Sequence, residues 1–298
     1  MNKKFFGTIC AIGAAVCYGT NNFGAINLYA EGMNTPSVLF YRFGLAWVII
    51  ALVMVVRGRV AGESLRLDRR EFFTLSSLGL LFIGSSLTLY LAFNLNPQAT
   101  GVASTILFTY PVMTAAIMAL FFRERVTTVT LLSIVLAFVG VMLLSLGSGS
   151  GTLSLAGVVL VLVSALTYAL YIIVVDKFPL HMSSFKINFY VLLYCALGML
   201  LFALLSGQPV LLPPTPRAWF FVGWLAIVPA IMALVMMVYA AKYIGSTPTA
   251  ILGALEPLTA VLIGVFLFGD DFTLRLFFGI VLILAAVTLV VLGKARRR

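Results

Sequence analysis

Two ionisable side chains stand inside long apolar stretches of this sequence and are the first candidates for chemistry. Glu256 lies near the middle of the run over 246–268 and is the only carboxylate at such depth. Arg42 sits about two helical turns into the run over 36–56. A charged group at the centre of a bilayer costs roughly 2.5–3.5 kcal/mol on insertion scales, so its presence points to function or to a fixed partner. Glu256 could carry a proton, serve as counter-ion to a substrate ammonium, or cap the break that Pro257 imposes on its helix. Arg42 could bind a carboxylate or snorkel to the headgroups of the nearer face.

Uncharged polar and aromatic groups gather in the same stretches. Cys10, Gly13, Ala14, Cys17 and Asn21 recur at spacings of three and four, which puts them on one helix face, with Asn22 beside them. That stripe is either a cavity wall whose amides hold a polar headgroup or a close-packing seam bridged by asparagine. Gly79, Ser86 and Tyr90 share a face in the third run, and Thr100, Ser104 and Pro111 lie in the fourth. Serine and threonine in a span often donate to their own i−4 carbonyl instead of to a ligand. Tyr168, Tyr171, Tyr190, Tyr194, Trp224 and Tyr239 could stack on a flat apolar substrate or occupy lipid-facing and belt positions. Pro111 and Pro257 each remove a backbone hydrogen bond and free a carbonyl, making each a hinge or a static kink.

The elements that must position these groups are set by composition. Of 298 residues, 62% are hydrophobic and 9% charged. Soluble domains run near half apolar and a quarter charged, so much of this chain must have lipid as its solvent. A spanning helix needs about 20 mostly apolar residues. Ten stretches qualify: 5–28, 36–56, 71–94, 98–122, 126–147, 152–175, 184–206, 217–242, 246–268 and 273–293. Lys3-Lys4 before the first run imitates a signal peptide, but the run is long enough to span and is read as retained. Asn96-Pro97, the glycine-serine joint 147–151 and the prolines at 209, 213, 214 and 216 punctuate the spans.

The net charge of +10 suggests nucleic acid, yet no basic segment is interleaved with aromatics as such binding requires. With a cytoplasmic N-terminus, sixteen of the nineteen basic residues fall on the cytoplasmic side; only Arg217 and Arg275 fall outside, and Arg42 lies within a span. Both termini are therefore expected in the cytoplasm, at the inner (plasma) membrane. The three cysteines lie in apolar runs and the single His181 near a loop, so neither a disulfide framework nor a metal or other cofactor is expected. No nucleophile–base pair, phosphate cradle, ATP-binding motif or charged filter ring appears, which argues against an enzyme or a channel.

The halves repeat. Thr109-Tyr110-Pro111-Val112 parallels Leu255-Glu256-Pro257-Leu258, and each is followed by an apolar stretch and an acidic turn, at Glu124 and at Asp270-Asp271. Gly7, Ala14 and Tyr18 match Gly157, Ser164 and Tyr168, which singles out Tyr168 among the aromatics. Five spans per repeat is odd, so residues 152–298 would enter the membrane with polarity opposite to that of residues 1–147, the inverted repeat of secondary transporters.

Tyr18-Gly19-Thr20-Asn21, Pro111, Leu255-Glu256-Pro257 and the two acidic turns together resemble the drug/metabolite transporter superfamily, in particular its EamA-type ten-helix members. The resemblance covers essentially the whole chain. It implies an all-α bundle of ten transmembrane helices around a central cavity, with the fifth and tenth helices peripheral. It also implies a structural role for Glu256, because Glu before this proline is general in the family. Within the superfamily the chain is similar to YddG-type amino acid exporters. The expected activity is export of small metabolites, foremost neutral and aromatic amino acids, by alternating access. The alternative is export of drugs or other organic cations, which a single deep carboxylate would suit. The sequence leaves the oligomeric state open, a monomer included.

Overall fold

A computed structural model describes residues 2–61, 65–96, 99–145, 153–178, 182–268 and 271–295. The expectations placed on Pro97, 147–151, His181 and Asp270 lie outside the described residues. Among the described residues the chain is wholly helical, and ten stretches are long and apolar enough to cross a bilayer. Side chains such as Leu120, Phe121, Leu155 and Leu205 are more than three-quarters exposed on the bundle's outside, where only lipid could cover them.

Four spans are not single helices. The first is α1 (Lys3–Gly19) and α2 (Asn21–Ala30), broken at Thr20, whose hydroxyl donates to the Cys17 carbonyl at 2.8 Å. The second and third are continuous, α3 (Thr35–Ala61) and α4 (Arg69–Leu95). The fourth is α5 (Thr100–Leu107) and α6 (Tyr110–Phe122). Pro111, expected in mid-helix, instead stands in the first turn of α6, where its missing N–H is not needed. Thr109 closes the gap, with its N–H and its hydroxyl both donating to the Ile106 carbonyl.

After α7 (Thr128–Ser145), α8 (Leu155–Lys177) and α9 (Ser184–Ser206), the eighth span begins as α10 (Pro216–Leu225). It widens into a π-helical stretch over Ala226–Met232 around Pro229, then continues as α11 (Ala233–Ile244). The ninth is α12 (Ser246–Leu252) and α13 (Leu255–Ile263), with a π-helical end over Gly264–Phe268. Pro257 cannot donate to the Gly253 carbonyl, and the Glu256 N–H takes that acceptor at 2.9 Å. The tenth span is α14 (Leu274–Ala295).

Helix starts follow their caps. Asp68 and Glu71 form a capping box that begins α4 at Arg69, and Ser154, Ser183 and Thr215 cap α8, α9 and α10. The dominant packing runs between the halves: α1 along α11, α4 along α8, α3 along α9, α7 along α14, and α6 against α12. Exchanging each span for the one five places on leaves this set of pairings unchanged. Gly19 lets α1 meet α13, since a Cβ there would lie 2.6 Å from the Glu256 carbonyl and 2.5 Å from Thr259 Cβ.

Candidate functional site

The helix breaks converge. Irregular backbone at membrane depth is tolerated where it lines a cavity. Beside the breaks at Thr20, Phe108–Thr109 and Gly253–Ala254 lies a chamber of about 70 Å³. Of the residues expected to bind substrate, Tyr18, Asn21, Arg42, Ser86, Tyr90, Tyr168 and Glu256 line it. Phe82, Ser85, Leu89, Leu107 and Tyr110 complete the wall.

Arg42 is only 4% exposed, so it does not snorkel to the headgroups. Its Nη2 reaches the Pro229 carbonyl at 3.5 Å, its guanidinium carbon stands 5.2 Å from the Phe43 ring centre, and its Nε has no partner among the described residues. Pro229 comes within reach because the π-helical stretch packs against α3. Among the described residues neither Arg42 nor Glu256 forms an ion pair, although both face the same chamber. An arginine and a glutamate that line one chamber without forming an ion pair can serve a ligand that carries both signs.

The neutral groups are arranged around them. Asn21 Nδ2 donates to the Tyr90 hydroxyl at 3.4 Å, while its Oδ1 is buried without a partner among the described residues. Ser164 Oγ donates to the Ser85 carbonyl at 2.8 Å and lies 3.1 Å from Ser85 Oγ, which pins α4 to α8 beside the chamber. The Tyr110 and Tyr168 rings meet edge to face, 5.0 Å between centres, an arrangement worth about 0.5–1.5 kcal/mol beyond burial.

Several expected site residues stand elsewhere. Tyr171 is fully buried behind the wall, parallel to Tyr168 at 6.4 Å and covered by Phe82 at 5.1 Å. Trp224 packs on Phe23 and Phe220, and Tyr239 on Phe6 and Tyr243. The π-helical stretch over Ala226–Met232 lies between them and changes the residues per turn. Ser104 sits on α5 outside the chamber wall. Asn22 is the second residue of α2, and its side chain falls outside the described residues. Pro111 and Pro257 start half-helices next to the chamber and do not line it. Sequence reasoning missed Tyr110 and Pro229. Tyr110 stood inside the repeated proline motif and Pro229 inside an apolar run, and each proline marked a break. Among the described residues no three His, Cys, Asp or Glu side chains gather as a metal site would need.

Comparison with known proteins agrees with this architecture. The EamA-like transporter family model matches residues 5–146 and again 155–292. An uncharacterized transporter of Archaeoglobus fulgidus is 28% identical over 95% of each chain. The uncharacterized transporter YetK of Bacillus subtilis is 25% identical over 98% of this chain and 89% of its own. A solved crystal structure, 19% identical, superposes with a TM-score of 0.77 over 98% of both chains and so shares the fold. With a model match across nearly its full length, this multi-pass membrane protein belongs to the EamA-like transporter family.

Proposed function

We propose that this transporter exports neutral amino acids, foremost aromatic ones, across the inner (plasma) membrane by alternating access. The observation that carries the reading is the chamber's chemistry: Arg42 and Glu256, unpaired with each other, share one wall with Tyr18, Phe82, Tyr90, Tyr110 and Tyr168. A zwitterion satisfies both charges at once, its carboxylate on the guanidinium and its ammonium on the carboxylate. Its side chain then meets aromatic faces. This is the specificity of YddG-type exporters. An organic cation would suit Glu256 but would leave the buried Arg42 facing a like charge, which disfavours the alternative.

The invariance of helix pairing under exchange of the halves, together with the doubled family match, supports an inverted repeat of residues 1–147 and 152–298. The charge bias supports both termini in the cytoplasm. Reconstituted protein is expected to pass radiolabelled phenylalanine and leucine and to exclude tetraphenylphosphonium. Passage of the cation without the amino acids refutes the assignment.

A further inference from the structure

A second cavity of about 10 Å³, room for roughly one water molecule, lies beneath the chamber. Besides Gly253 at the break between α12 and α13, its own walls are Ala11, Ala14, Ala15, Ile172, Met237 and Thr249. These residues sit on the first turns of α12, the late turns of α8 and the middle of α1 and α11. The cavity therefore runs toward the end of the bundle where Gly7 meets Ile244. The chamber runs the other way, toward the end where α4 finishes near Tyr90. Four residues belong to both cavities: Tyr18, Tyr110, Tyr168 and Glu256. The material separating the two spaces is thus three tyrosine rings and one carboxylate.

Two of the rings pack on each other and the third lines both spaces beside them. Tyr110, 3% exposed, meets Tyr168 edge to face at 5.0 Å, and Tyr18 is 8% exposed. The Tyr18 hydroxyl is buried beside Tyr168. The Tyr110 hydroxyl occupies the volume where a side chain at Gly253 would begin. A Cβ there would overlap the hydroxyl and approach Tyr110 Cζ at 3.1 Å. Gly253 is also the break between α12 and α13, so the seat of the ring and the discontinuity of the ninth span are one feature.

We propose that Tyr18, Tyr110 and Tyr168 form an internal gate between two cavities on one transport path, and that Gly253 is the positioning residue that lets Tyr110 close it. The gate rests on the transport reading, but not on which substrate passes. Glu256 lies at the gate and is the one residue with a carboxylate lining both spaces, so it meets solute from either side in turn.

The test uses thiol accessibility and no substrate, so its outcome is independent of the amino acid assignment. In full-length protein with Cys10, Cys17 and Cys195 replaced by alanine, Ser86→Cys reports on the chamber and Thr249→Cys on the lower cavity. A membrane-impermeant methanethiosulfonate is applied to the face from which Ser86→Cys reacts. Thr249→Cys is expected to react from that face at least roughly tenfold more slowly, as for a gate open less than about a tenth of the time. Gly253→Ala, which displaces Tyr110, is expected to raise the Thr249→Cys rate about tenfold, and adding Tyr110→Phe to lower it again. Tyr168→Ala opens the partition without a clash and serves as the second variant. An unchanged Ser86→Cys rate shows that each protein is folded. Equal rates at the two cysteines in the parent overturn the proposal. So does continued protection of Thr249→Cys in both Gly253→Ala and Tyr168→Ala.

Discussion

Replacing Arg42 by glutamine separates a ligand-binding guanidinium from a structural one. Arg42 donates at 3.5 Å to the Pro229 carbonyl and stands over the Phe43 ring, and its Nε has no partner among the described residues. A buried cation with so few partners costs stability, and a neutral side chain of similar length should leave the thermal midpoint unchanged or raised. Substrate binding should change in the opposite direction. A hydrogen bond to a charged group contributes about 1.5–3 kcal/mol, and at 1.4 kcal/mol per decade its loss weakens phenylalanine binding by roughly 10–150-fold. Phenethylamine, which lacks the carboxylate, should be affected far less. Scintillation proximity binding with purified protein, followed by competition with each compound, gives both numbers, and a thermal shift series gives the midpoint. Equal weakening for phenylalanine and phenethylamine, together with a lowered midpoint, would refute the argument, because it would make Arg42 a packing residue whose removal disturbs the chamber as a whole.

Three further outcomes follow from the same contacts. Gly19→Ala should destabilise by about 1–3 kcal/mol, since its Cβ would enter the space of Thr259 and the Glu256 carbonyl; a fall in the thermal midpoint checks it, and an unchanged midpoint shows that α1 and α13 can part freely. Asp176→Ala should cost about 0.5–2 kcal/mol, because Asp176 Oδ2 accepts from both the N–H and the hydroxyl of Ser246 at the start of α12, and Asp176→Asn should recover part of the loss in a denaturation series. Glu256→Gln should abolish the pH dependence of flux in proteoliposomes across about pH 5 to 9 if the carboxylate exchanges a proton; a wild-type pH profile would leave Glu256 as architecture.

Much of the bundle was legible because lipid leaves few options for the backbone. The run over 184–206 coincides with α9 to the residue, since Ser183 caps one end and Gly207 adopts a left-handed conformation at the other. At α4 the expected start at residue 71 was two residues late, because Glu71 is the third helical residue of a capping box that Asp68 begins. Apolar periodicity could not reveal that four spans are interrupted. A broken helix and a whole one bury the same residue types, and only the prolines and Thr20, Thr109 and Gly253 carry the difference. The chamber was half legible for the same reason. Tyr18, Asn21, Arg42 and Glu256 stood out as polar groups at depth, whereas Tyr110, Tyr171 and Tyr239 look alike in sequence and differ only in what covers their rings.

The pairing of helices is symmetric under exchange of the halves, but the irregular backbone is not. The fourth and ninth spans are both broken, at matching prolines. The first span is broken and the eighth carries a π-helical stretch, while their counterparts, the sixth and third, are continuous helices tied by the Ser85–Ser164 hydrogen bonds. A π-helical turn and a helix break each leave backbone groups less well held than a regular helix does. The α1–α11 side of the chamber therefore has the more deformable backbone, and the α4–α8 side the stiffer one. Arg42 reaches across to the deformable side at Pro229, and Glu256 begins the half-helix that touches it at Gly19. Arg42, itself on the continuous α3, and Glu256, on the half-helix α13, thus both touch the more deformable backbone, so a ligand that binds them bears on that backbone through these contacts.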